Sequence, residues 1–146
     1  MLYHASEQVS QEQVDKFLQL MEKAGGLYPL EESLMDVGAA VSGCGPAYAY
    51  LVLDAMADGG VACGLPRADA VRFAAQTLLG AAQMVLTTGK HPDQLKNEVC
   101  SPGGSTIQGV RTLEQRAVRA AMMDAVITAC DKTQPLASKT PCQTIF

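Results

Sequence analysis

A chain of 146 residues with 48% hydrophobic and 18% charged residues is long enough to bury a core and too apolar to stay disordered. Its net charge of −4, with lysines and arginines spaced singly, offers no basic stripe for nucleic acid or an anionic membrane. The five cysteines form no C-x-x-C pair and are odd in number, which points to reduced thiols in an intracellular protein.

No basic segment followed by an apolar one opens the chain, so no signal peptide is expected, and the apolar stretch 37–53 is too short and too broken by Gly and Pro to span a membrane. Ser10, with Gln13 three residues later, predicts a capping box at a helix start. Val14, Phe17, Leu18 and Met21 then follow helical spacing and give one packed stripe, which Gly25-Gly26 ends. Leu27 to Leu30 reads as a short strand and Glu31-Glu32-Ser33 as a turn or helix start. A single strand makes no sheet, so its partner is expected in another chain or in a larger α/β domain of which residues 1–35 are the remnant.

From Met35 the composition shifts to small apolar residues, and a domain boundary is placed there. Val41-Ser42-Gly43-Cys44-Gly45-Pro46 reads as a loop entering a helix with Pro46 at its first position. That helix, reaching about Cys63, carries Ala, Gly and aliphatic residues on nearly all sides, with Asp54 and Asp58 its only charges. It is expected to be buried all round, partly by a second subunit. Gly64-Leu65-Pro66 separates it from a helix over about 66–86, with Val71, Ala74, Ala75, Leu78, Ala82 and Val85 on one stripe. Thr87-Thr88-Gly89 stops that helix, and His91-Pro92 opens a short one through Leu95 and Val99. Helices at about 105–115 and 117–132 follow, and the Pro-, Thr- and Ser-rich stretch 134–146 is expected to be a mobile tail. The fold class is mainly α: a helix-strand head, a bundle of roughly five helices and a tail.

The densest chemistry lies in Cys100-Ser101-Pro102-Gly103-Gly104-Ser105-Thr106-Ile107. Pro102 holds Ser101 extended, and the two glycines reach backbone angles closed to other residues. Ser105 or Thr106 is then expected to cap a helix whose N-terminal amides and dipole favour an anion such as a carboxylate. Local sequence leaves two readings open: a carboxylate cradle flanked by hydroxyls, or an ordinary Gly-rich connector with a helix cap. Other candidates rank below it. Cys44 and Cys100 have no activating histidine pattern, and His4 and His91 have no partners at ligand spacing, so no metal is expected. Asp54 and Asp58 share a helix face but read as a solvated or interface edge, and Met56, Met84, Met122 and Met123 read as core filler.

Taken in order, Val41 to Tyr48, Asp58-Gly59-Gly60-Val61, Gly64-Leu65-Pro66, Ala75-Gln76-Thr77-Leu78-Leu79-Gly80 and Ser101 to Thr106 give the chain a resemblance to pyrroline-5-carboxylate reductase over about residues 36–133. The resemblance implies a C-terminal all-helical dimerisation and substrate-binding domain at 36–133, preceded at 1–35 by the tail end of a Rossmann-type dinucleotide-binding domain and followed by the tail 134–146. It implies NADPH- or NADH-dependent reduction of 1-pyrroline-5-carboxylate to L-proline, in proline biosynthesis, by a homodimer or higher homo-oligomer in the cytoplasm or a mitochondrion. It also implies that Ser101, Gly103, Gly104, Ser105 and Thr106 bind the substrate, with the Thr106 hydroxyl on the ring nitrogen as the catalytic contact. Gly43, Cys44, Gly45 and Pro46 match the family loop beside the nicotinamide. No G-x-G-x-x-G follows a strand in these 146 residues, so the chain by itself is expected to be inactive. A non-catalytic dimerisation module is the alternative, and a dehydrogenase for another small carboxylate a broader one. Arg116-Ala117-Val118 stands where the family commonly has a glycine-containing turn, so the last two helices are expected either to turn more tightly or to run on as one.

Overall fold

A computed structural model of the chain describes residues 1–137, with side chains as far as Thr133. Two compact units emerge: Met1–Pro46 together with the residues from Met123 onward, and Ala47–Met122.

In the first unit, strand β1 (Leu2–Tyr3) pairs in parallel with β2 (Tyr28–Pro29), Leu2 opposite Tyr28 and Tyr3 opposite Pro29. The connection is helix α1 (Gln11–Leu20), opened by the expected capping box: Gln13 N–H donates to Ser10 Oγ and Ser10 N–H to Gln13 Oε1. The Phe17 ring of α1 lies 5.9 Å from that of Tyr3, seating the helix on the strand pair. The strand expected to need an outside partner thus finds one in its own chain. A two-residue strand is too short to show the alternation that marks a strand in sequence. A 3-10 turn at Glu32–Leu34 leads into α2 (Met35–Ser42), with Ala40 buried. This helix occupies the first half of the expected loop, and only Gly43 and Cys44 separate it from α3 (Gly45–Ala62). Pro46 is therefore the second residue of α3 rather than the first.

In the second unit, α3 continues and is followed by α4 (Arg67–Thr88), α5 (Pro92–Glu98) and α6 (Ser105–Gln115). α3 and α4 meet through alanines: Ala57, Ala70 and Ala74 are buried, with Leu53 and Val61 packed around them. Small side chains let the backbones approach closely, and an Asp58–Arg67 ion pair of 2.6 Å ties the same two helices at the surface. The Asp58 carboxylate is thus an ion-pair partner at the exposed edge of the two helices. α4 ends at Gly89 with φ +65, and α5 begins with His91 as cap, its Nδ1 accepting from the Asp93 N–H at 3.2 Å.

The single chain covers only part of α3, which leaves the rest for the second subunit expected there. Tyr50 and Leu51 are each 70% exposed, and Met56, Met84 and Met123, expected as core filler, are about half exposed. Among the described residues no large side chain is fully buried. An alanine-lined core contributes only small areas per residue, so most of the apolar stripe remains uncovered in a single chain. The last helix, α7 (Val118–Ala137), runs past Gln134, where a tail was expected, and the remainder of that stretch lies outside the described residues. α6 and α7 do not merge: Ala117 between them adopts φ +55, a left-handed conformation that ends one helix before the next begins. No helix of the described residues is long and apolar enough to cross a membrane.

Candidate anion cradle at the start of α6

Val99 and Cys100 close α5, their N–H groups donating to Lys96 and Asn97 carbonyls. The chain then turns sharply through Ser101-Pro102-Gly103-Gly104, where the Gly104 N–H donates to the Ser101 carbonyl at 3.0 Å and Gly103 has φ +71. Proline second and a positive-φ glycine third mark a type II turn. This turn delivers the chain to Ser105 as the first residue of α6.

Two sequence expectations change here. The cap of α6 is Gly104, with φ −70 and ψ 166, and no side chain caps the helix, so neither Ser105 nor Thr106 does so. The Gly104 N–H, expected to face a ligand, is committed to closing the turn. Gly104 matters for a different reason: a Cβ there would collide with Ser101 Oγ and approach the Ser101 carbonyl oxygen to 3.2 Å. The open donors are therefore the Gly103 amide within the turn and the first-turn amides of Ser105, Thr106 and Ile107, the last of which was not expected from the sequence. Ile107 was legible only by counting from the true cap. Three amides at the positive end of an eleven-residue helix suit one carboxylate, and the Ser101, Ser105 and Thr106 hydroxyls lie at the same exposed end.

Gly43, Cys44, Gly45 and Pro46 lie in the first unit, at the junction of α2 and α3. The Gly43 and Cys44 N–H groups both donate to the Ala39 carbonyl, at 2.7 and 3.1 Å, which folds the junction tightly. Beside Gly45 the space is open to 4 Å, so a flat ring can approach the backbone there. A pyrophosphate does not suit the cleft beside the strand pair. The cleft at the carboxyl ends of β1 and β2, about 1050 Å³, is lined by His4, Ser6, Glu7, Glu31, Glu32 and Ser33, whose carboxylates repel phosphate. His4 there contacts the Leu30 carbonyl through Nδ1 at 3.1 Å, a link between the two strand ends.

The remaining electrostatics cluster around α5, α6 and the start of α7. Lys96 Nζ donates to Asp93 Oδ1 at 2.8 Å and holds that carboxyl below its ordinary range, while Lys90 does the same for Glu98 at 2.8 Å. Arg119 bonds Glu114 Oε1 at 3.1 Å and lies 3.6 Å from Asp93 Oδ1; its own pKa is raised, chiefly by the bond to Glu114. Cys44 and Cys63 are exposed and Cys100 half-buried, none of the three in a disulfide. Among the described residues no three His, Cys, Asp or Glu side chains converge as a metal site would require.

A family profile described as pyrroline-5-carboxylate reductase dimerisation matches residues 32–136. Pyrroline-5-carboxylate reductase 2 of Bos taurus is 51% identical over 120 residues, 82% of this chain and 38% of that protein. The pyrroline-5-carboxylate reductase of Glycine max is 49% identical over 118 residues, 81% of this chain and 43% of its own length. A crystal structure of Plasmodium falciparum pyrroline carboxylate reductase with NADP bound superposes with a TM-score of 0.84 at 33% identity, covering 92% of this chain and 54% of that one. The chain thus spans less than half the length of these two curated relatives.

Proposed function

Because the chain belongs to the pyrroline-5-carboxylate reductase family, we propose that it supplies the dimerisation and substrate-binding part of an oxidoreductase that converts 1-pyrroline-5-carboxylate to L-proline. The observation that carries this reading is the uncapped N-terminus of α6 behind a type II turn, an anion cradle with hydroxyls beside it. NADPH or NADH, when bound, supplies a hydride to the imine carbon of the ring.

This chain's own residues do the rest. The Ser105, Thr106 and Ile107 amides donate hydrogen bonds to the substrate carboxylate, and the Gly103 N–H, which takes no part in closing the turn, and the Ser101 hydroxyl complete its surroundings. Fixing the carboxylate helps to fix the ring, because the carbon that bears it and the imine carbon belong to one five-membered ring; this is catalysis by positioning. The Thr106 hydroxyl donates a hydrogen bond to the ring nitrogen, where negative charge develops as the imine carbon is reduced and where a proton must finally reside. Gly43, Cys44, Gly45 and Pro46 would hold the nicotinamide end, with the open backbone face at Gly45 as the contact surface. The chain works as a homodimer or higher homo-oligomer, which covers the apolar faces left exposed on α3 and α4. The half-exposed or exposed thiols of Cys44, Cys63 and Cys100 agree with a reducing compartment, cytoplasm or mitochondrion.

Thermal denaturation with L-proline tests the proposal. L-proline is expected to raise the midpoint of the native chain, with little effect on Ser101→Ala or Thr106→Val, and L-prolinamide, which lacks the carboxylate, is expected to do nothing. Equal protection by the acid and the amide, or none by L-proline, would overturn the assignment of the cradle.

A further inference from the structure

The cradle joins α5 to α6 at one end of a helical hairpin, and the opposite end is closed by a different device. α5 starts at Pro92 and α6 finishes at Gln115, so Asp93 and Glu114 both stand at the end remote from the cradle. At 1.5 Å per residue, the seven residues of α5 and eleven of α6 put that end about 10–16 Å from the turn. Arg119, in the first turn of α7, reaches both: 3.1 Å to Glu114 Oε1 and 3.6 Å to Asp93 Oδ1. Lys96 holds the same Asp93 oxygen from within α5 at 2.8 Å. Between Glu114 and Arg119 lies Ala117 at φ +55, a conformation disfavoured for any residue with a Cβ.

We propose that Arg119 is a positioning residue for the cradle: its guanidinium clamps the far end of the α5–α6 hairpin and holds the left-handed Ala117 turn, and so fixes the direction in which the α6 amides point. The inference rests on the proposed role of the cradle but is testable without it. Both contacts come from one guanidinium nitrogen, Nη2, so Arg119→Lys, which keeps the charge as a compact, more strongly hydrated ammonium, should retain part of the clamp. The pairs are exposed, so each is individually weak and screened by salt; the effect expected is that of a small network.

Hydrogen exchange at the Gly103 to Ile107 amides and calorimetric titration with L-proline, on the native chain, Arg119→Gln and Arg119→Lys, test the clamp. Arg119→Gln is expected to speed exchange at these amides and weaken L-proline about fivefold. Arg119→Lys should fall between, and the native chain in about 1 M salt, where the screening length is about 3 Å, should approach Arg119→Gln. Salt acting on the unmodified chain keeps the test valid if a variant folds poorly. Unchanged exchange at Gly103 to Ile107 in Arg119→Gln and in high salt would overturn the clamp, whatever L-proline does. Faster exchange in a chain that never binds L-proline would leave the clamp standing and overturn the substrate assignment instead.

Discussion

Gly103 and Ala117 both hold left-handed backbone, with φ of +71 and +55, and only the first is a residue suited to it. A Cβ in this region costs about 1–2 kcal/mol. Ala117→Gly should relieve that strain, less the added freedom of glycine in the unfolded chain, for a net gain of up to about 1 kcal/mol, or about 2–4 °C in a chain of this size. A calorimetric scan showing a lower midpoint for Ala117→Gly would contradict the strain. Gly103→Ala should do the reverse, destabilising by about 1–2 kcal/mol and weakening L-proline, because the turn it distorts sets the start of α6. At Gly104 the obstacle is contact rather than conformation. Gly104→Ala pushes the new methyl against Ser101 Oγ, so binding should fall even where the fold survives. These residue roles were only half legible in sequence. Pro102-Gly103 announces the turn, but which N–H closes it depends on where the helix cap falls, and Ser105 and Thr106 are plausible caps by residue type alone.

At the scale of elements, sequence signals worked where one residue type dictates local geometry. The Ser10 and Gln13 box, the stop at Gly89, and His91-Pro92 at the start of α5 all fall where propensity places them. They failed where tertiary context decides. β1 is two residues long, and α2 hides in Met35-Asp36-Val37-Gly38-Ala39-Ala40, small residues with no pronounced apolar stripe. The all-round apolar pattern of α3 called for burial shared with a second subunit, and in the chain alone Ala57 is the buried residue of this helix. Its contact with α4 is tight because it is built of alanines. Ala57→Leu should therefore overpack that contact and cost about 1–3 kcal/mol, read as a lower denaturation midpoint.

The ion pairs of α5 predict a pH dependence whose sign is fixed. Asp93 and Glu98 have carboxyl pKa values lowered in the folded chain, by bonds from Lys96 and Lys90 respectively. Their stabilisation is present above the unfolded-state values, near about pH 4, and is lost as pH falls through the lower folded values. Asp93→Asn should flatten this acid limb of the stability curve, and salt should shrink the difference between the two proteins. An unchanged acid limb in Asp93→Asn would show that the pair contributes nothing to folding.

Across the whole molecule, the exposed apolar side chains are the dominant fact. Tyr50, Leu51, Leu79 and Leu86, on α3 and α4, are each more than 60% exposed. A second copy of the chain is the proposed cover, in keeping with the dimerisation profile matched over 32–136. Size-exclusion chromatography with light scattering should give twice the monomer mass for the native chain, and Leu51→Lys should shift it toward the monomer. A monodisperse, folded native monomer would remove the dimer from the account. The sequence foreshadowed this in α3, whose apolar residues on nearly all sides called for a second subunit.

The central claim is that this chain carries the carboxylate-binding half of the reaction at the start of α6. The most direct measurement is a titration of the 15N-labelled protein with L-proline, following each backbone amide by NMR. Saturable shifts concentrated at Gly103, Ser105, Thr106 and Ile107, and absent with L-prolinamide, are predicted. Saturable shifts centred elsewhere, or none at these amides, would contradict the claim.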